Sequence, residues 1–364
     1  MTQRHEAPTP IQPKLQRKRQ PLRDAKILLK VLAAAADTDR PLVTHVVITR
    51  RCNLSCGYCF EYDKVSQPVP LAELKARIDH LAKLKSVFVT LTGGESLLHP
   101  DAIELVRYVN EKGMVPFLNT NGYLLTRQII EGLNDAGLYG MQLSIDNAKP
   151  NDVSKKSLKP LMPKLRLLAM HAKFHVRINT VLGSSPPAEA LEVAKTVVNF
   201  GFDSNCSLVR DETGALIDPD PETRAAYDQI RDLGRRLPSF LDDDYTRKLL
   251  DNGTMEWKCR AGARTFLVDE HGKVHLCQPR MEAGGGIPLL DYTVEHIRAA
   301  FNAPKPCASK CPIAYAHHAS KLDGWRSQKG APLLLPEPTP STSLPALPPA
   351  SRGVRSPRLS VLAG

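Results

Sequence analysis

Val43-Thr44-His45-Val46-Val47-Ile48-Thr49 runs into Arg50-Arg51-Cys52-Asn53-Leu54-Ser55-Cys56-Gly57-Tyr58-Cys59-Phe60. The first seven residues form an apolar, β-branched run, the pattern of a buried strand. The thiols of Cys52, Cys56 and Cys59, spaced C-x3-C-x2-C, therefore lie on a loop leaving that strand's C-terminal end. Closed structural metal sites use four protein ligands. Three thiolates on one loop leave a coordination position open, where a substrate or cofactor can bind.

Outward from this stretch, strand and helix patterns alternate to about Arg210. Strands are expected at 43–49, 86–92, 115–119, 140–145, 175–182 and 205–209, with helices near 70–84, 101–112, 125–136, 158–172 and 187–200. Alternation of this kind argues for an α/β fold with a parallel sheet. Six units are too few to close an eight-stranded barrel, so a partial, open (βα)6 barrel is expected. Chemistry in such folds gathers at the C-terminal ends of the strands. Those ends carry the cysteine loop, Gly93-Gly94-Glu95, Asn119 in an Asn-Thr-Asn-Gly turn, Ser144 with Asp146, and Asn179.

A second group of thiols follows. Cys259 and Cys277 flank a hairpin signal at 268–276, and Cys307 and Cys311 add two more. Four thiolates make a complete site for a [4Fe–4S] cluster or for zinc. The remaining cysteine, Cys206, reads as a buried core thiol.

The cysteine spacing, the aromatic Tyr58 before the third cysteine and Thr92-Gly93-Gly94-Glu95 at the end of a second strand resemble the radical S-adenosylmethionine (radical SAM) superfamily. The resemblance implies the open barrel, and a [4Fe–4S] cluster on Cys52, Cys56 and Cys59 whose fourth iron is chelated by S-adenosylmethionine. It also implies reductive cleavage to a 5′-deoxyadenosyl radical that abstracts hydrogen from a substrate, with a donor such as flavodoxin or ferredoxin supplying the electron. By the same resemblance Gly93, Gly94 and Glu95 would contact the methionyl ammonium, Tyr58 the adenine, and Ser144 the ribose or carboxylate. Asn119 and Asn179 would face the cofactor. Lys156 stands where related enzymes place an arginine, and Ser96 where the family often has proline. Residues 254–322, with Cys259, Cys277, Cys307 and Cys311, resemble a one-cluster SPASM/twitch extension and imply an auxiliary [4Fe–4S] cluster. A small molecule, a lipid-like molecule or a peptide would be the substrate. The alternative is a non-catalytic protein with two cysteine zinc sites.

The chain has 364 residues and a net charge of +11. Residues 1–30 carry eight Lys/Arg against two acids, and residues 321–364 six against two, so the excess belongs to the ends. That distribution argues against specific nucleic-acid binding by the middle of the chain and leaves peripheral membrane contact through the basic N-terminus as a reading of the tail. Without a secretory signal or spanning segment the expected compartment is cytoplasmic. The expected organisation is a disordered basic tail (1–23), a helix (24–40), the core domain (41–215), a helical linker (216–253), the cysteine-rich domain (254–322) and a disordered Pro-rich tail (323–364).

Overall fold

The computed structural model describes residues 21–59, 62–210, 216–234, 244–281 and 286–332. The disorder expected for residues 1–20 and 333–364 concerns segments outside these.

Helix α1 (Pro21–Ala36) precedes β1 (Val43–Thr49). Then α2 (Leu71–Lys83) leads to β2 (Phe88–Gly93), α3 (Ala102–Glu111) to β3 (Val115–Thr120) and α4 (Arg127–Asp135) to β4 (Gly140–Ser144). The last two units are α5 (Leu158–His171) with β5 (His175–Leu182) and α6 (Pro187–Asn199) with β6 (Asp203–Leu208). Each strand lies where apolar patterning puts it, with ends displaced by at most two residues. The remainder is α7 (Pro221–Leu233), α8 (Tyr245–Asn252), β7 (Thr265–Val268), β8 (Lys273–His275), α9 (Gln278–Met281), β9 (Ile287–Pro288), α10 (Val294–Asn302) and α11 (Ala314–Lys321).

Strands β1 to β6 pair in parallel and in chain order, the open (βα)6 arrangement. Alternate residues such as Val46, Ile48, Val89 and Leu91 are buried on the helix side against Leu74, Ile78 and Leu105, because successive strand side chains point to opposite faces. Each such side chain contributes about 1.5–3 kcal/mol of burial. The other face lines the concave interior. Its N-terminal end is plugged by edge-to-face or tilted contacts running Phe88, Phe117, Tyr139, His175. The opposite end, where the cysteine loop emerges, is left for chemistry.

The cysteine-rich segment packs a small cluster of its own, Cys259, Ala261 and Ala308 with Trp257 and Leu276, and also extends the main sheet and core. Strand β7 pairs in parallel with β1, β8 and β9 continue the same nine-stranded sheet, and Phe266, Val268 and Ile297 belong to the main core. The outer edge of β1 offers unpaired backbone groups that a distant segment can satisfy, which local patterning does not reveal. Two expected boundaries need correction, and the first is the C-terminal tail, which does not begin at residue 323. Asp323 is fully buried in an ion pair with Arg264 (2.6 Å), and Gln328 donates to the Cys259 and Ala303 carbonyls, both at 3.1 Å. At the other terminus α1 starts at Pro21, within the stretch expected to be tail.

Candidate active site

The cysteine loop is pinned at its base. The Gly94 amide donates to the Thr49 carbonyl (2.8 Å), the Glu95 amide to Arg51 (2.9 Å) and the Cys52 amide to Asp63 (3.0 Å). The Lys64 ammonium donates to the carbonyls of Cys52 (3.0 Å) and Leu54 (2.7 Å), closing the loop back on itself. Here the glycines have a reason the sequence did not disclose. A Cβ on Gly93 would stand 2.0 Å from the Thr49 carbonyl oxygen, and one on Gly94 2.3 Å from that of Arg50. They let the loop after β2 lie against the backbone of the cysteine loop.

Glu95, expected at the methionyl ammonium, has protein partners of its own. It is fully buried, and both carboxylate oxygens are engaged. One accepts from Thr120 Oγ1 (2.6 Å) and the Leu97 amide (3.0 Å), the other from the Asn121 amide (2.6 Å). Burial raises its pKa, against the pull of these donors. The carboxylate staples the loop after β3 to the loop after β2, because the unpaired amides there are its nearest donors.

The sulfurs sit among N–H groups. Cys52 Sγ accepts from the Leu54 amide (3.4 Å) and stands 3.8 Å from Asn121 Nδ2, and Cys56 Sγ accepts from the Lys155 amide (3.5 Å). Asn121 Nδ2 also donates to Asn53 Oδ1 (2.7 Å). Such donors favour thiolates and tune iron–sulfur clusters; burial raises the Cys52 pKa against the pull of the Leu54 amide, and Cys52 and Cys56 carry the donor pattern of cluster ligands. Among the described residues no group of three or more His, Cys, Asp or Glu side chains is gathered to hold a single metal ion.

Residues 151–156, after β4, clamp this loop. The Gly57 amide donates to the Val153 carbonyl (2.8 Å). Tyr58 Oη donates to Asp146 (2.5 Å), which also accepts from Ser154 Oγ (2.6 Å) and the Val181 amide (3.0 Å). Lys156 Nζ stands 3.0 Å from Tyr58 Oη and 5.2 Å from its ring centroid, so part of the ring expected to meet adenine is covered by a cation. Burial opposes the Lys156 charge, yet Tyr58, Asp146 and the cysteine sulfurs outweigh it and hold its pKa well above the usual lysine value.

Asn119, Ser144 and Asn179 share the concave face. Asn119 Nδ2 donates to Thr92 Oγ1 (3.3 Å), Asn179 Nδ2 to Ser207 Oγ (3.2 Å), and Ser144 is in register with Asn179. The same wall carries Gln142, Arg177 and Asn205, which sequence reading passed over. So were Asn121, Ser154 and Lys155; the Asn-Gly turn and the Asn151-Asp152 turn were the available signals.

The second thiols also converge. Cys259, Cys277, Cys307 and Cys311 line one cavity together with Lys305 and Arg280. Burial pushes the Cys277 thiol up to about 12 and the Lys305 ammonium down to about 8. Arg210, just past β6, donates to Gln278 Oε1 (3.0 Å), and the Gln278 amide to Tyr315 Oη (3.1 Å). Tyr315 lies 4.7 Å, ring to ring, from His45 of β1, so these contacts tie the segment after Cys277 to both β1 and the end of β6.

Residues 46–215 match the Radical SAM superfamily. The chain is 33% identical over 308 residues to the PqqA peptide cyclase of Rhodopseudomonas palustris, covering 74% of this chain and 79% of that protein. It is 33% identical over 140 residues to the Fe-coproporphyrin III synthase of Methanosarcina barkeri. That match covers 38% of this chain and spans only 35% of the relative's length. Among solved structures, Streptococcus suis SuiB superposes with a TM-score of 0.56 at 14% identity, covering 87% of this chain and 83% of that one.

Proposed function

This chain belongs to the radical SAM superfamily, and from that premise we propose that it cleaves S-adenosylmethionine at a [4Fe–4S] cluster held by Cys52, Cys56 and Cys59. When bound, the cluster and S-adenosylmethionine would supply a 5′-deoxyadenosyl radical that removes hydrogen from the substrate. The observation that carries the reading is the ring of N–H donors from Leu54, Asn121 and Lys155 aimed at two of the three sulfurs. These groups stabilise thiolate charge and fix where each sulfur points. Asp146 and Lys156 orient Tyr58, while Glu95 sets the spacing of the loops after β2 and β3. The electron would come from a donor such as flavodoxin or ferredoxin.

For the substrate, the likeness to a peptide cyclase over most of the chain supports a peptide. The polar inner wall supports a polar molecule over a lipid-like one. Arg177, exposed there and without a partner among the described residues, suits a carboxylate or phosphate on it. An auxiliary [4Fe–4S] cluster on Cys259, Cys277, Cys307 and Cys311 is supported by the one cavity that all four thiols line, a complete set of protein ligands for a cube.

The test is anaerobic reconstitution with S-adenosylmethionine and dithionite. Wild-type protein should carry about eight irons and release 5′-deoxyadenosine; the Cys52/Cys56/Cys59→Ala protein should keep about four and release none. Release of 5′-deoxyadenosine by the triple variant overturns the first site. One zinc and no iron in that variant overturns the auxiliary cluster alone.

A further inference from the structure

Helix α1 lies at the N-terminal ends of the strands, remote from the cysteine loop. Arg23 donates to the Gly137 and Leu138 carbonyls ahead of β4, and Lys30 to the Gly113 carbonyl ahead of β3. Val31 and Ala34 pack inward against Leu42 and Val87. The other face is bare: Leu22 is 81% exposed, Leu28 58%, Leu29 65% and Leu32 56%. Four of the eleven exposed large apolar side chains among the described residues thus sit on one helix. Single exposed leucines need no explanation, but a row of them does.

Two further observations bear on what covers this row. Trp325, 77% exposed, arrives beside the end of the helix from a distant part of the chain: Arg326 stacks on its ring (4.5 Å) and donates to the Ala35 carbonyl (3.0 Å). Basic residues accompany the row: Lys26 is exposed on α1, Lys329 is exposed four residues past Trp325, and in the sequence Lys14, Arg17, Lys18 and Arg19 precede the helix. A leucine face, an indole at its end, an exposed lysine on the helix and a basic stretch ahead of it in the sequence suit the headgroup region of an anionic bilayer. Four bare leucines call for an apolar cover, and the basic residues on and ahead of the helix for an anionic one, which a bilayer of anionic lipid supplies together.

We propose that α1 and Trp325 dock the protein on an anionic membrane surface, the leucines entering the headgroup boundary and the basic residues lying over lipid phosphates. No described helix is long and apolar enough to cross a membrane, so the contact is one of lying on the surface. The barrel's opposite end, with the cysteine loop, stays open to water. The docking is independent of the cofactor chemistry.

Co-sedimentation of the full chain with phosphatidylcholine vesicles, with and without phosphatidylglycerol, tests this. Binding should require phosphatidylglycerol, weaken with added salt, and shift tryptophan emission to the blue; Trp325→Phe should abolish the shift. Leu29→Asp/Leu32→Asp should weaken binding by about tenfold or more, with the melting temperature unchanged. Equal binding to both vesicles, or wild-type binding by the double variant, overturns the proposal. So does a wild-type dimer that the double variant dissolves, which makes the face a self-interface, or binding that disappears on removing residues 333–364 alone.

Discussion

Tyr58 Oη donates to the Asp146 carboxylate across 2.5 Å, joining the cysteine loop to the end of β4. Asp146 is fully buried and accepts from three donors on three segments, so it cannot move without releasing all of them. Asp146→Asn preserves volume but turns an acceptor into a donor. It should lower affinity for S-adenosylmethionine by about tenfold, the cost of one lost charge-assisted hydrogen bond, measured by equilibrium binding to reconstituted protein. A wild-type Kd would detach Asp146 from the site.

Gly94→Ala should cost about 3 kcal/mol, since its Cβ would meet two backbone oxygens, those of Arg50 and Arg51, at 2.3 and 2.5 Å. Iron retention should fall with it as the cysteine loop is pushed away. Gly57→Ala is the control, its nearest contacts being an ordinary 3.8 Å. Denaturant midpoints of the two variants that coincide would show that the loops part at no cost.

Asp323→Ala should destabilise the protein by about 3–5 kcal/mol, because it leaves the fully buried Arg264 guanidinium uncompensated. Arg264 also donates to the carbonyls of Asp37 (2.9 Å) and Arg40 (2.7 Å), so the segment between α1 and β1 should loosen with it. Hydrogen exchange should locate the loss there as well as in residues 320–330.

Asp269 closes the hairpin that presents Cys277. Burial works against its charge, but hydrogen bonds from the His275 ring (2.8 Å) and the Lys273 amide (2.7 Å) prevail and depress its pKa. A depressed carboxylate stabilises the fold above its unfolded pKa, and that contribution disappears as pH falls through the folded value. The stability gap between wild type and Asp269→Asn should therefore be full above about pH 5 and shrink below about pH 4. A gap that widens on acidification would reverse the assignment.

The six βα units were legible because their information is local: alternation at Val43–Thr49 or His175–Leu182 sets the strand, and glycine and polar turns set its ends. The cysteine triad was legible because its spacing is short and its chemistry belongs to the thiol. Everything that required two distant segments to meet was decided by tertiary structure. Strand β7 joins β1 because a parallel edge needs hydrogen-bond partners that lie some two hundred residues away in the chain. The bare face of α1 is visible only after its other face has been buried. Glu95 and the glycines before it show the division within a single motif. Sequence placed them at the mouth of the barrel, and packing gave Gly93 and Gly94 to the Thr49–Arg51 backbone and the Glu95 carboxylate to Leu97, Thr120 and Asn121. A buried carboxylate must satisfy its oxygens with whatever donors the fold brings within reach, and those donors are fixed by the packing of strands and loops, which no spacing in the chain records.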